Sequence, residues 1–231
     1  MPSSEALVFD VYGTLVDPIG VARELEEWMP PADAAEVARI WRQKQLDISF
    51  RLTAMGRYED FGWCTRKALD HALAVLDKKV ENSDKESLIA RYDNLEPFPD
   101  AAPALQALLD RGRVLAILSN GAPAMLDAIL DATGLRRYFA EVISVDEVRA
   151  FKPCPRPYHH AAIRLNRTTS RVRLVSCNSF DIIGAESAGL RAAWIDRSGG
   201  AFEPDGSPPD IVIRSLTDLL TALTPETGHE D

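Results

Sequence analysis

The chain has 231 residues, with 26 basic and 35 acidic side chains and a formal net charge of −9. This length supports a substantial buried core, arranged either as one domain with a large insertion or as two small domains. The acidic balance argues against a nucleic-acid partner, and no apolar stretch approaches the ~18 residues needed to span a bilayer. The start of the chain lacks the basic residues of a secretory signal, so we expect a cytoplasmic protein that acts on a small molecule.

The first predicted strand ends in a carboxylate that is followed at once by a glycine turn. Ala6–Phe9 are four apolar residues in succession, which indicates a strand buried on both faces and hence a parallel sheet. Parallel sheets bind ligands beyond the carboxyl ends of their strands, so Asp10 is a candidate nucleophile. Capping of the next turn or helix is the alternative role for this residue.

The segment between the first strand and residue 100 predicts a helical insertion. Residues 20–94 contain no second strand-like run and few helix breakers. We expect residues 18–96 to form a helical cap domain on a core of residues 1–17 and 97–231. Because the insertion returns to the edge of the sheet where Asp10 lies, it is placed to roof a pocket there.

One predicted cap helix carries two separate strips of side chains. Its apolar face consists of Val37, Ile40, Trp41, Ile48 and Leu52. A second strip begins at Arg42 and continues through Leu46, Ser49 and Thr53, which indicates a pocket wall. No acidic residue lies three or four positions from Arg42, so a local helix salt bridge is unavailable to it. A solvated surface arginine is the alternative interpretation.

Beyond residue 100, short apolar runs alternate with helical patterns, which predicts an α/β fold with a parallel sheet. The predicted strands cover residues 114–118, 141–145, 173–175, 192–195 and 211–213. Helices are expected between the Asp100 cap and Gly112, between Pro123 and Gly134, and from Asp181 to just before Gly189.

The cysteines predict neither a disulfide framework nor a thiolate metal site. Cys64, Cys154 and Cys177 are odd in number and widely spaced, which favours reduced thiols. The histidines are either adjacent or remote in the sequence, so they do not form a metal-ligand pattern.

Polar residues follow four of the predicted strand ends. They are Asp10 and Thr14, Ser119-Asn120-Gly121, Lys152, and Ser176-Cys177-Asn178. With the segment FDVYGTL at 9–15, Lys152-Pro153 and Asp181, this arrangement resembles the haloacid dehalogenase superfamily. WRQKQL at 41–46, MGRYEDF at 55–61 and PRPY at 155–158 are also similar to segments of the L-2-haloacid dehalogenases. The resemblance covers nearly the whole chain and implies a Rossmann-like parallel sheet core with an inserted helical cap domain.

Two departures separate this chain from the magnesium-dependent phosphatases of that superfamily. Those enzymes usually carry a second Asp two residues after the nucleophile, where this chain has Tyr12, and a phenol does not replace that acid. They also carry an Asp just before the one that matches Asp181, whereas a thiol such as Cys177 is a poor magnesium ligand. We therefore expect no metal and no other cofactor. A magnesium-dependent small-molecule phosphatase and a non-catalytic ligand-binding protein are the two alternatives.

The resemblance implies hydrolytic dehalogenation of short L-2-haloalkanoic acids, including haloacetates, to 2-hydroxy acids. The reaction would pass through an aspartyl ester at Asp10 and invert the configuration at Cα. The residues implied in catalysis are Asp10, Thr14, Arg42, Lys152, Ser176, Asn178 and Asp181. The residues implied in substrate binding are Tyr12, Gln43, Leu46, Phe61, Ser119, Asn120, Tyr158 and Phe180.

Several of these assignments have a structural alternative. Ser119 and Thr14 are also typical turn caps, Tyr158 can serve helix packing, and Asp181 can serve as a helix N-cap. Phe180 stands where the subfamily often has Trp, so the preferred halogen and the chain length of the substrate stay open. Relatives often dimerise, which makes a homodimer an expectation from the resemblance.

Overall fold

The computed structural model describes residues 5–206 and 209–223, so residues 1–4, 207–208 and 224–231 of the predicted core lie outside the described residues. A six-stranded parallel sheet forms its centre. The strands are β1 (Ala6–Phe9), β2 (Val114–Ser119), β3 (Glu141–Ser144), β4 (Val172–Ser176), β5 (Arg191–Ile195) and β6 (Val212–Ile213). Their order across the sheet is β3-β2-β1-β4-β5-β6, which confirms the predicted α/β class and a parallel sheet.

The central position of β1 explains where Asp10 emerges. All four residues of β1 are buried, and Phe9 pairs with Ile117 of β2 on one side and with Val175 of β4 on the other. The chain order reverses direction across the sheet at β1, and ligands bind beyond the carboxyl ends of strands at such a switch point. Asp10 therefore leaves the sheet at the middle of its carboxyl edge.

Four helices fill the segment between β1 and the rest of the sheet. They are α1 (Ala22–Leu25), α2 (Pro31–Ala54), α3 (Phe61–Val75) and α4 (Asn82–Arg91). The two chain passages that connect this segment to the sheet run side by side, since Val16 forms an antiparallel bridge with Pro97 and the Phe98 N–H donates to the Leu15 carbonyl at 2.9 Å. The helical segment consequently returns beside the turn that follows Asp10.

The remaining helices cover the two faces of the sheet. They are α5 (Ala101–Asp110), α6 (Pro123–Ala132), α7 (Pro155–Arg164), α8 (Ser179–Ser187) and α9 (Leu219–Ala222). Alternate residues of β1 point to opposite faces. Phe9 packs in the core cluster that includes α5 and α6, and Val8 packs with α7 and α8. Within the described ranges, no helix is both long enough and apolar enough to cross a membrane.

Asp100 is the N-cap residue of α5, as predicted, but the side-chain contact expected of a cap does not form. Its carboxylate instead accepts hydrogen bonds from Arg197 Nη1 at 2.9 Å, Ser215 Oγ at 2.9 Å and the Leu216 N–H at 2.8 Å. The Arg197 guanidinium and the turn that contains Ser215 and Leu216 converge on this carboxylate, so these tertiary contacts replace the local capping contact.

Candidate active site

The Asp10 carboxylate is buried and is held by donors from three different loops. Its Oδ1 accepts a hydrogen bond from Lys152 Nζ at 3.0 Å. Its Oδ2 accepts from Thr14 Oγ1 at 3.1 Å and from Asn178 Nδ2 at 2.9 Å. The Asp10 N–H continues the sheet by donating to the Val175 carbonyl at 3.0 Å. Both the backbone and the side chain of Asp10 are therefore fixed.

A glycine turn brings Thr14 back to Asp10. Gly13 has a φ of +92°, and a Cβ at this position would lie 2.6 Å from Cys177 Sγ. Only glycine fits this combination of conformation and close approach. Thr14 Oγ1 also accepts from the Cys177 N–H at 3.0 Å, which ties the turn to the end of β4. Burial and the negative charge of Asp10 raise the pKa of the Cys177 thiol to about 11, so this thiol is neutral at pH 7.

Lys152 is an almost completely buried cation, and each proton of its ammonium group has a hydrogen-bond acceptor. Besides Asp10, Nζ donates to Asp181 Oδ2 at 2.7 Å and to the Leu118 carbonyl at 2.8 Å, which accounts for all three of its protons. Burial alone would lower the pKa of Lys152, but the two carboxylates outweigh burial and raise it above its ordinary value. The Lys152 N–H donates to Asn120 Oδ1 at 2.9 Å, which places that amide in the same site.

Asp181 is completely buried and faces Lys152. Because α8 begins at Ser179 with Asn178 as its N-cap residue, Asp181 lies in the first turn and is not the N-cap. Its Oδ1 accepts from the Tyr158 hydroxyl at 2.8 Å. Burial and the nearby charge of Asp10 raise the pKa of Asp181 against the opposing effect of Lys152. No group of three His, Cys, Asp or Glu side chains placed to hold a metal ion occurs in residues 5–206 and 209–223.

A glycine inside α8 makes the contact between Tyr158 and Asp181 possible. A Cβ at Gly184 would lie 2.5 Å from the Tyr158 hydroxyl oxygen and 2.6 Å from Pro153 Cβ. The absent side chain lets α7 and the Lys152 loop pack directly against α8. Gly184 was not predicted as a site residue, although a glycine within a predicted helix is the signal for such a close approach.

Two buried serines close the turns after β2 and β4. Ser119 Oγ accepts from the Gly121 N–H, and Ser176 Oγ accepts from the Asn178 N–H, each at 3.1 Å. The contact at Ser119 is the turn-capping role that the sequence left open. A hydroxyl that accepts a hydrogen bond still has its own proton to donate, so both serines can also donate a hydrogen bond to a ligand.

Arg42 enters the site from α2. Its Nη2 donates to the Tyr12 carbonyl and its Nη1 to Gln45 Oε1, both at 3.3 Å. Among the described residues it forms no ion pair, in agreement with the absence of an acidic neighbour on its helix. Arg42, Tyr12 and Asn178 line an open cleft of about 400 Å³. Its guanidinium charge is therefore available to an anion in that cleft.

The other predicted substrate-binding residues comprise three that are buried or half-buried and one that is exposed. Phe61 is fully buried with its ring 5.9 Å from the ring of Tyr12, and Phe180 packs edge-on against Phe50 at 5.0 Å. Leu46 is half-buried, one turn of α2 beyond Arg42. Gln43 is not brought to the site.

The placement of Gln43 differs from the expectation because of the rotation of α2 about its axis. The Gln43 side chain is exposed, and its Oε1 accepts from Arg39 Nη1 at 3.2 Å on the outer surface of the helix. One residue along a helix turns the side chain by about 100°, so Arg42 and Gln43 cannot both point into the cleft at the same depth.

Residues at a fifth strand end, that of β5, also contact the site, although they were not predicted as site residues. Arg197, just beyond β5, donates from Nη2 to the Thr14 carbonyl at 2.9 Å and also binds Asp100. Trp194 Nε1 donates to the Cys177 carbonyl at 3.0 Å. These two side chains hold the loops of Thr14 and Cys177 from the outside. Their position at the end of a predicted strand on the same edge was the available signal.

Comparisons with known proteins show which enzymes the chain is similar to in sequence and in fold. Residues 5–189 match the haloacid dehalogenase-like hydrolase family. (S)-2-haloacid dehalogenase 2 of Pseudomonas sp. strain CBS-3 is 35% identical over 223 residues, 96% of this chain and 97% of the relative. Haloacetate dehalogenase H-2 of Moraxella sp. strain B is 34% identical over 92% of this chain and 95% of its own. The structure of L-2-haloacid dehalogenase from Xanthobacter autotrophicus with chloropropionic acid covalently bound has a TM-score of 0.88 and 36% identity, covering 96% of this chain and 100% of that one.

Proposed function

The chain belongs to the haloacid dehalogenase-like hydrolases and, within them, to the (S)-2-haloacid dehalogenases, and on that premise we propose that it hydrolyses short L-2-haloalkanoic acids, including haloacetates, to 2-hydroxy acids. The observation that carries the proposal is that Asn178, which lines the cleft with Arg42, donates both to the buried Asp10 carboxylate and to the Tyr12 carbonyl that Arg42 also contacts, while Arg42 has no ion-pair partner among the described residues. Asp10 thus offers a nucleophile for carbon, and Arg42 offers a cation for the departing anion.

In the first step, Asp10 attacks Cα from the side opposite the halogen. One carboxylate oxygen forms a bond to Cα, and the halide departs with the electron pair of the carbon–halogen bond, so the leaving group needs no proton. Oδ2 already accepts two hydrogen bonds whereas Oδ1 accepts one, so we assign the attack to Oδ1. Attack from the opposite side inverts the configuration at Cα.

Arg42 and Asn120 provide donors for the departing halide. The planar guanidinium of Arg42 is permanently charged and carries several N–H groups. Asn120 uses its Oδ1 to accept from the Lys152 N–H, which leaves its amide protons for another acceptor. Fixed donors of this kind stabilise developing negative charge without reorganising during the reaction.

In the second step, water hydrolyses the ester at Asp10 Cγ. Thr14 and Asn178 already donate to Oδ2, so they stabilise the negative charge that develops on this oxygen. Asp181, whose pKa is raised by burial, accepts the proton of the water and returns it to the departing alkoxide. Ser176 and Asn178 orient the water. The oxygen that leaves in the 2-hydroxy acid is the one with which Asp10 attacked.

We extend the proposal to the organisation of the chain. Residues 18–96 act as a cap domain over a core of residues 1–17 and 97–231, and the enzyme works without a metal or other cofactor. A cytoplasmic homodimer without a nucleic-acid partner is also part of this proposal. Light scattering of the purified protein tests the dimer.

The test is halide release from chloroacetate and from each enantiomer of 2-chloropropionate, in the presence of excess chelator. We expect release that resists chelator and that is confined to the L enantiomer of the chiral acid. A panel of phosphomonoesters with magnesium is assayed in parallel. Magnesium-dependent phosphate release without halide release would contradict the proposal in favour of a phosphatase, and binding without any turnover would favour a non-catalytic protein.

A further inference from the structure

Two tyrosine hydroxyls near the candidate site are buried and have no hydrogen-bond partner within the described part of the chain. They belong to Tyr12 and Tyr92, whose residues are 2% and 0% exposed. Their rings are neighbours, with centroids 6.4 Å apart. Buried hydroxyls in native proteins are nearly always paired, because leaving one unpaired is energetically costly. Two such hydroxyls on neighbouring rings indicate a place for an acceptor that the described residues do not supply.

The surroundings of the two rings place them at the junction of the core and α2. A Cβ on Gly121 would lie 3.2 Å from Tyr12 Cε2, the ring carbon next to the one that carries the hydroxyl. The hydroxyl end of Tyr12 therefore lies beside the turn that contains Asn120. On the other side, the ring of Tyr92 lies 4.8 Å from that of Trp41, the residue before Arg42.

The guanidinium of Arg42 is the cation that acts on both phenols, and there it opposes the negative charges of Asp10, Asp17 and Asp93. Arg42 Nη2 donates to the Tyr12 carbonyl at 3.3 Å, and this guanidinium has no carboxylate partner in the described ranges. Burial raises the pKa of both phenols, so each hydroxyl stays protonated and acts as a donor. A cation and two O–H donors in an aromatic enclosure suit a small, weakly hydrated anion.

We propose that the hydroxyls of Tyr12 and Tyr92 donate hydrogen bonds to the departing halide, and that Tyr92 is a specificity-determining residue for the leaving group. This inference rests on the proposed dehalogenase function. As the carbon–halogen bond breaks, the halide takes the electron pair and accepts these hydrogen bonds, and no proton is transferred to it. Chloride concentrates its charge more than bromide or iodide, so it gains the most from each donor.

The experiment compares Tyr92→Phe with the wild type on chloroacetate, bromoacetate and iodoacetate. The quantity measured is kcat/KM for halide release, because it reports the step in which the halide departs. We expect a decrease of about tenfold on chloroacetate, the effect of losing one hydrogen bond to a charged acceptor, and progressively smaller decreases on bromoacetate and iodoacetate. An equal decrease on all three substrates, or none, would overturn the inference.

Tyr138→Phe is the matched control. Tyr138 is also buried, but its hydroxyl accepts from Arg137 Nη2 at 2.7 Å, outside the candidate site. This variant is expected to keep all three values of kcat/KM within about twofold of the wild type, because the lost hydroxyl contacts Arg137 and no residue of the candidate site.

A second measurement separates halide binding from turnover. Thermal unfolding is followed while chloride replaces sulfate at constant ionic strength, because a ligand that binds the folded state raises Tm. Tyr92→Phe is expected to keep the Tm of the wild type without chloride and to show a smaller chloride-dependent rise. An identical rise in both proteins would overturn the inference. Absence of halide release by the wild type would instead contradict the proposed function, and the titration would still test the halide site.

Discussion

The two sides of the candidate site differ in how completely their polar groups are paired. On the core side, formed by the loops at the carboxyl edge of the sheet, Lys152 uses all its donors, and both Asp10 and Asp181 accept from at least two groups. The Tyr12 hydroxyl, which has no partner among the described residues, is an exception on this side. On the cap side, Arg42 makes only two long contacts at 3.3 Å, and the Tyr92 hydroxyl has no partner among the described residues. The core side is thus organised before substrate binds, whereas the cap side still has hydrogen-bond donors available for the substrate.

We therefore expect the two sides to have different roles in the reaction. A network that fixes both oxygens of Asp10 determines which atom attacks and where charge develops during ester hydrolysis. Donors that stay unpaired in the free protein are complementary to an anion that exists only after the carbon–halogen bond begins to break. We therefore expect substitutions on the core side to affect both turnover and stability, and substitutions on the cap side to affect turnover alone.

Asp10→Asn has the largest expected effect on activity. The amide is a far poorer nucleophile than the carboxylate, so halide release should fall to background on every haloacid. Halide release is measured together with circular dichroism, which should show native secondary structure because the two side chains have nearly the same shape. Wild-type rates in this variant would contradict the mechanism.

Lys152→Met should destabilise the fold strongly, because it leaves Asp10 and Asp181 buried without their shared cation. Removing one partner from a buried ion pair costs about 3–5 kcal/mol. The free energy of unfolding in urea measures this loss. Lys85→Met is the control, since Lys85 pairs with the half-exposed Asp70 at 2.9 Å and such surface pairs contribute about 0–1 kcal/mol. Equal losses in the two variants would remove the special role of the buried lysine.

Arg42→Lys tests the cap side. An ammonium cannot reproduce the planar fork of donors, so kcat/KM should fall roughly 10- to 100-fold, while the free energy of unfolding should change by less than about 0.5 kcal/mol. Arg39→Lys, on the exposed side of the same helix and paired with Glu36, serves as the control and should keep wild-type activity. A lower free energy of unfolding with unchanged kcat/KM would show that Arg42 stabilises the fold and does not take part in the reaction.

The smallest expected effect is a pH dependence of the stability that Lys152 provides. The pKa of Lys152 in the folded state is raised above its ordinary value of 10.5 by Asp10 and Asp181, against the effect of burial. The stabilisation is therefore complete below pH 10.5 and is lost as the pH rises through the folded-state pKa. The difference in unfolding free energy between wild type and Lys152→Met should stay constant from about pH 7 to 9 and shrink above about pH 10.5. A difference that shrinks between pH 7 and 9 would contradict the raised pKa.

The core side was largely predictable because it depends on features that the sequence displays directly. A four-residue apolar run that ends in Asp10 predicts a central parallel strand, and the carboxyl ends of parallel strands share one edge. The polar residues after four strand ends were consequently brought together as expected. Asp100 occupies the predicted N-cap position, but its side chain binds the distant partners Arg197 and Ser215 in place of the helix backbone, which the local pattern could not indicate.

The cap side was harder to predict because it depends on how packed elements are rotated and on what surrounds each group. The pattern of α2 identified Arg42. The resemblance to the L-2-haloacid dehalogenases placed Gln43 in the pocket as well, but the Gln43 side chain faces solvent. Nothing in the sequence distinguishes Tyr92 from an ordinary core tyrosine. Its unpaired hydroxyl becomes visible only when its neighbours are known.

The most direct test of the central claim is a single turnover in heavy-oxygen water with enzyme in excess over L-2-chloropropionate. If Asp10 attacks Cα and water then attacks Cγ, the hydroxyl of the first product carries the light oxygen of Asp10, and mass spectrometry finds the heavy oxygen in the peptide that contains Asp10. Heavy oxygen in the first product, with an unlabelled Asp10 peptide, would mean that water displaces the halide directly and that no aspartyl ester forms.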